Sequence, residues 1–253
     1  MRPIENAPVP TKNGVAKAYN DYKEWRLDLV TAYGQHCVYC NDRLPNNLQV
    51  EHQVAQSLGI VSPLDWNNLY LACGPCNLAK SDKVLSAATH YLPNEHNTHL
   101  IFDYQLRPHN KLPGKIACIP VPKENLDEEQ KTKAAQTILD LKLAKVEQTP
   151  LQERKMTDVR WQNRFDAFEM ARTQRRLWDT LVTQVQKDAY LSCIPPLLVR
   201  AGFFSLWVQA FESVPVVLEA LINALPHTAV SCFDPVTGYQ PTNRNPANAA
   251  DPI

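Results

Sequence analysis

The chain has no net charge: 26 lysines and arginines balance 26 aspartates and glutamates over 253 residues. A protein that grips nucleic acid unaided usually carries a basic excess, so any hold on phosphates must be local or supplied by a partner. Glycine is scarce at 7 residues, which argues against long flexible linkers. No apolar run reaches the length of a membrane span. The stretches 197–208 and 214–225 are the most apolar, but Arg200, Gln209, Glu212, Pro215 and Glu219 interrupt them, so they are expected in a core or under a second chain rather than in a bilayer. No hydrophobic segment opens the chain, so an oxidising compartment is not expected. No internal repeat stands out. What the chain does hold is 20 prolines, which favour segmented helices and rigid joints, and 7 cysteines.

Four of those cysteines form the pattern C-x2-C-x32-C-x2-C: Cys37 and Cys40, then Cys73 and Cys76. Each pair sits in a turn, with Asn41 after the first and Gly74-Pro75 inside the second. Such turns aim backbone N–H groups at sulfur and help keep thiols ionised. Four thiolates in two knuckles suit one tetrahedral Zn2+, closed and therefore structural. Its binding energy would be folding energy, on the order of 10 kcal/mol or more. Two disulfides or four buried thiols are the bland alternative. A redox pair would need only one C-x-x-C, and no βαβ pattern surrounds either. Cys118, Cys193 and Cys232 lack partner spacing and read as ordinary buried or free thiols.

Between the knuckles, 48–52 (Leu-Gln-Val-Glu-His) reads as a short strand and 67–72 (Asn-Asn-Leu-Tyr-Leu-Ala) as a second. Asn77 is placed to cap a short helix through Lys80 to about Val84. Strand, loop, strand and helix around a metal is the ββα-metal arrangement. With Val50-Glu51-His52, Asp65-Trp66-Asn67-Asn68-Leu69, Cys73-x-x-Cys76-Asn77 and Lys80, residues 34–85 resemble the HNH endonuclease family. The resemblance implies hydrolysis of phosphodiester bonds. His52, of a residue type that titrates near neutral pH, would be the general base. A divalent ion, Mg2+ or Mn2+, would offset charge on the phosphate. Glu51 and Asn77 would be its protein ligands. The middle asparagine, best matched by Asn68 with Asn67 as the alternative, would hold the loop behind the base. Lys80, near Asn77 on the helix, would touch a phosphate. Many relatives have Asp where this chain has Glu51, which moves the carboxylate outward by about one bond.

Finer details resemble one branch of that family: the opening Met1-Arg2-Pro3-Ile4, the Glu-His pair, the Asp-Trp-x-Asn-Leu run and a helical second half. These are similar to the retron- and Septu-associated PtuB-type nucleases of bacterial anti-phage defence. That implies a bacterial cytoplasmic setting and an ABC/SMC-like ATPase partner, PtuA. In some systems it also implies a retron reverse transcriptase with its multicopy DNA. DNA is the default substrate, with RNA or transfer RNA open, since a ββα site contacts mainly the backbone. A zinc-organised adaptor that only binds nucleic acid or protein is the non-catalytic alternative; it would not need Glu51, His52, Asn68 and Asn77 together.

The expected fold is α+β: a small zinc-stapled ββα-metal module embedded in a mainly α-helical protein. An N-terminal arm and helix fill 1–34, with the helix over 15–33. The zinc module with downstream loops and strands fills 35–124, including short strands at 100–102 and 115–121. His90, His96, His99 and His109 fall in that downstream part and read as residents of a surface loop. A helical domain fills 125–225, with a helix capped by Asn125, an interruption at Pro150, and a long helix from Thr157 or Asp158 to about Tyr190 whose buried side is Trp161, Phe165, Phe168, Leu177, Leu181 and Val185. Arg154, Lys155, Arg160, Arg164, Arg172, Arg175 and Arg176 make 154–176 the best local basic patch, either a phosphate track or a solvated face. The segment 226–253 has few large apolar residues and is expected to be mobile.

Overall fold

Asn13 and Gly14 both take positive φ, 53° and 78°, the backbone a two-residue hairpin turn requires. They fold β1 (Thr11–Lys12) onto β2 (Val15–Ala16), with Thr11 opposite Ala16. The helix expected over 15–33 therefore begins late, as a 3₁₀ turn at Tyr22–Trp25 followed by α1 (Arg26–Tyr33). Val15 is 70% exposed, whereas Trp25, Leu29 and Tyr33 are buried as the helical spacing predicted. The computed structural model describes residues 1–44, 46, 48–110, 112–146 and 158–253. Pro150, Arg154, Lys155 and Thr157 lie outside the described residues.

The central module is β3 (Gln49–His52), β4 (Leu69–Ala72) and α2 (Gly74–Lys80). The strands pair antiparallel, Glu51 opposite Tyr70 and His52 opposite Leu69. Next come the hairpin β5 (Phe102–Pro108) with β6 (Ile116–Pro122), longer than expected, and α3 (Glu128–Asp140). Asp127, not Asn125, caps α3: its carboxylate accepts from Gln130 N at 2.8 Å while the Gln130 side chain accepts from Asp127 N.

α4 (Arg160–Thr180) ends ten residues short of the expected Tyr190, and α5 (Gln184–Leu191) restarts the chain. Thr183 forms a capping box with Gln186 and resets the helical phase. Within α4, Trp161 and Trp178 are buried and Leu177 faces solvent; beyond the restart, Val185 faces solvent too. α6 (Ile194–Ala201), α7 (Phe204–Ala210) and α8 (Pro215–Ile222) pack the two apolar stretches into one core with Trp178 and Phe233. A second core joins the N-terminal segment, α1, the central module and α3. Among the described residues, no helix is long and apolar enough to cross a membrane. The mixture of helices and small sheets around a cysteine-rich module is the α+β architecture the sequence predicts.

Two expectations fail for the same reason, burial through polar anchors. The C-terminal segment is not loose. β7 (Phe233–Asp234) pairs with β8 (Gln240–Pro241), Arg244 donates to Pro93 O and Ile4 O, Asp251 accepts from Lys133 at 2.7 Å, and Ile253 is buried. The four downstream histidines are buried, not on a surface loop. His90 meets Asp140 at 3.1 Å, His96 lies between Leu92 N and Lys133, and His109 packs on Trp161.

Burial pushes His99 down to about 3 and His96 to about 4. Both are neutral in the fold at pH 7, whereas in the unfolded chain they take protons below about 6.5. Their stabilisation is therefore complete above that pH and is lost as pH falls toward the folded values. For His99 alone the loss by pH 5 is about 2 kcal/mol. Urea midpoints measured between pH 7 and pH 5 should fall, and fall less in His99→Gln.

Candidate functional site

The cysteine sulfurs of residues 37, 40, 73 and 76 all lie within 4.8 Å of one another and are buried. Cys40 Sγ and Cys73 Sγ are 3.8 Å apart, far beyond a disulfide bond and close to the edge of a tetrahedron around zinc with bonds of about 2.3 Å. Local folding explains the gathering. Asn41, at φ 60°, closes the first knuckle, with its N–H on Cys37 O at 2.9 Å. Cys73 itself caps α2, its sulfur accepting from Cys76 N at 3.4 Å, and Pro75 suits the first turn. The helix therefore opens at Gly74, and Asn77 lies inside it rather than at its cap. It stops at Lys80, short of Val84.

Four buried thiols this close cannot ionise independently. Cys73 is held well above the ordinary thiol range, first through its contact with Cys37, and Cys76 through burial. A divalent cation at their centre relieves that conflict, so the donor set fits zinc. Outside the knuckles, Arg160 Nη1 donates to Cys76 Sγ at 2.9 Å. Its guanidinium is also held by Asp158 and by Lys142 O at 2.8 Å. Nothing in the spacing of the sequence pointed to this contact across 84 residues.

Successive strand residues face opposite sides, so β3 divides the remaining candidates. Toward α2 point Gln49 and Glu51. Gln49 Oε1 accepts from Asn77 Nδ2 at 2.9 Å. Glu51, 2% exposed, receives Lys80 Nζ at 3.1 Å and the Tyr39 hydroxyl at 3.2 Å, both on Oε1. Burial raises the Glu51 carboxyl to about 7, against the opposing pull of Lys80. The expectation that Lys80 meets a phosphate is corrected here. Its ammonium is 1% exposed and committed to Glu51. The added methylene of Glu over Asp is what spans that gap.

His52 ends β3 on the other side. Its Nε2 donates to Pro63 O at 3.0 Å, which leaves the lone pair on Nδ1. The Tyr22 ring stands edge-on to it at 4.8 Å. The loop after His52 is clamped by Asn68: Oδ1 accepts from Val54 N at 2.7 Å and Nδ2 donates to Val54 O at 3.0 Å. Asn67 is exposed, and its N–H is held by Asp65, so the amide that spans the loop belongs to Asn68. Tyr22, Tyr39 and Gln49 were not anticipated. Of these only Gln49 had a signal, its position two before Glu51 on one strand face.

The basic patch divides. Arg160 and Arg164 are buried, with Arg164 Nη1 on Cys118 O at 2.8 Å, while Arg172 and Arg176 are exposed. Cys118 and Cys232 are buried free thiols and Cys193 is exposed.

The family model for HNH endonuclease matches residues 37–83, from the first knuckle past the end of α2. No curated protein and no solved structure matches the chain.

Cys76→Ser should lose bound zinc and fold together, read as zinc per chain and as soluble yield. Arg160→Met keeps the sulfurs but removes the donor to one of them, and should release zinc to a chelator about 10- to 100-fold more readily.

Proposed function

Residues 37–83 form an HNH endonuclease domain, and from that premise we propose that the protein is a metal-dependent endonuclease of nucleic acid with His52 as its general base. The observation that carries this reading is the clamped histidine: Nε2 is occupied by Pro63 O, and the loop beyond is fixed by both atoms of the Asn68 amide. A base whose tautomer and direction are set in advance loses no reorganisation energy when it takes the proton of a water. The bare atom is Nδ1, which is where that proton goes.

The donors on the other side of β3 suit a hard divalent ion such as Mg2+ or Mn2+. Asn77 and Glu51 would hold it, Glu51 through Oε2, since both of its buried contacts fall on Oε1. When bound, the ion supplies charge stabilisation at the phosphate. Lys80 and Tyr39 act on the carboxylate, not on substrate: they fix its direction and offset part of what burial costs its charge. Gln49 does the same for the Asn77 amide. Asn68 is a positioning residue.

DNA is the favoured substrate, with RNA as the alternative, on the resemblance of Glu51-His52 and the 65–69 run to defence-associated nucleases. The same resemblance supports a place in a bacterial anti-phage complex with an ABC/SMC-like ATPase. The neutral net charge and the exposed Val182 and Val185, which flank the cap of α5, are in keeping with a partner that delivers the target.

Labelled duplex DNA, single-stranded DNA and transfer RNA should be incubated with Mg2+ or Mn2+, with and without the co-expressed ATPase. Cutting by wild type should drop on the order of 100-fold or more in His52→Ala, with zinc content and circular dichroism unchanged. Cutting that survives in His52→Ala would overturn the assignment of the base. Absence of cutting in every arm would move the protein to a binding role.

A further inference from the structure

α4 carries Arg160, Arg164, Phe168, Arg172 and Arg176 at steps of four residues. Each step drifts about 40° around a helix, so the stripe winds from the interior to the surface. Its first two guanidiniums are buried on Cys76 and on Cys118 O. Its last two are exposed and, with Arg175, line a groove of about 340 Å3 between α4 and α7. Phe168, Leu206 and Ala210 also line that groove. Arg175 is spoken for: Asp179 takes its Nε at 3.0 Å, and its Nη1 donates to Ala210 O and Ser213 Oγ at 3.1 Å. Among the described residues, neither Arg172 nor Arg176 is ion-paired. Arg172 lies over the Phe168 ring, Cζ 5.2 Å from its centroid, and Arg176 donates to Thr173 Oγ1 at 2.9 Å.

We propose that this groove binds a single-stranded stretch of the nucleic acid that the HNH domain cuts, with Arg172 and Arg176 on phosphates and Phe168 under a base. The inference rests on the nuclease reading above. Two guanidiniums without an ion-pair partner among the described residues select an anion. A flat aromatic beside them selects a base face, which every nucleotide has and an acidic peptide lacks. A base can take the guanidinium's place over the ring while the freed guanidinium takes the phosphate. The volume is at the small end of ligand pockets, roughly 300–1,000 Å3, and suits one nucleotide, not a duplex. The groove is also held at a set distance from the metal module. Twelve residues of one helix, about 18 Å, separate Arg160 on Cys76 from Arg172.

The test is fluorescence anisotropy of a short labelled oligothymidylate and oligouridylate in the full-length His52→Ala background, without added divalent ion or chelator. Arg172→Ala with Arg176→Ala should weaken binding on the order of tenfold and flatten the salt slope by roughly 1.4, two single-strand contacts at about 0.7 each. Phe168→Leu, which keeps apolar volume but removes the ring, should weaken the oligonucleotides severalfold and leave a duplex of equal length unchanged. Zinc content and thermal midpoint verify the fold of each variant. Unchanged affinity in the arginine pair overturns the proposal. Equal displacement by poly-glutamate also overturns it, since charge alone would then explain binding. Cutting by wild type that needs His52, with binding untouched in these variants, removes the groove alone. Binding lost in the variants, with no cutting by wild type on any substrate, removes the nuclease reading and leaves the groove.

Discussion

Four buried sulfurs within 4.8 Å of one another call for a cation, and both halves of the chain are anchored beside them. Cys37 and Cys40 hold the turn before β3, while Cys73 and Cys76 hold the start of α2. The knuckles thus close the two ends of the segment that contains Glu51, His52 and Asn68, and Asn77 follows the last cysteine directly. A short two-stranded sheet has little stability of its own in water. A metal bound by the four cysteines would supply what so small a core lacks, and the strands could then hold polar side chains where chemistry, not packing, decides their identity.

The second half of the chain is tied to the same point. Arg160 brings a positive charge to Cys76, Asn163 Nδ2 donates to Asp42 at 3.0 Å, and Asn41 receives Phe203 N and Phe204 N at 2.8 Å each. The last contact brings backbones so close that a Cβ on Gly202, at φ +74°, would stand 2.6 Å from Asn41 O, so only glycine serves there. Helices and metal module therefore share one set of buried polar anchors. Losing the metal would be felt in α4 and α7 as well as in the knuckles.

What was legible in the sequence was local. The cysteine spacing, the β3–β4 pair and the Asp65–Leu69 run each declare themselves within a few residues. The N-terminal helix was overextended because apolar spacing from Val15 outweighed the Asn13-Gly14 turn. Asn77 looked like a cap because asparagine usually is one, whereas here the sulfur of Cys73 does that work. Helical apolar spacing continues through 181–185 and so hides the break that the Thr183-x-x-Gln186 capping box makes after α4. Lys80, Arg160 and the C-terminal segment were illegible for a different reason. Their roles depend on burial against residues remote in sequence, as with Arg160 on Cys76 or Asp251 on Lys133, whereas charge suggests exposure for the two cations and a lack of large apolar residues suggests mobility for the C-terminal segment.

The ion pair of Glu51 and Lys80 acts as a spacer between β3 and α2. A carboxylate on a longer stem and an ammonium long enough to meet it are buried together 3.1 Å apart, and shortening either would leave the other buried without its partner. The stem of the acid on the strand and the stem of the base on the helix therefore set each other's length: the distance between the two backbones is bridged by the pair, and neither side chain alone reaches across it.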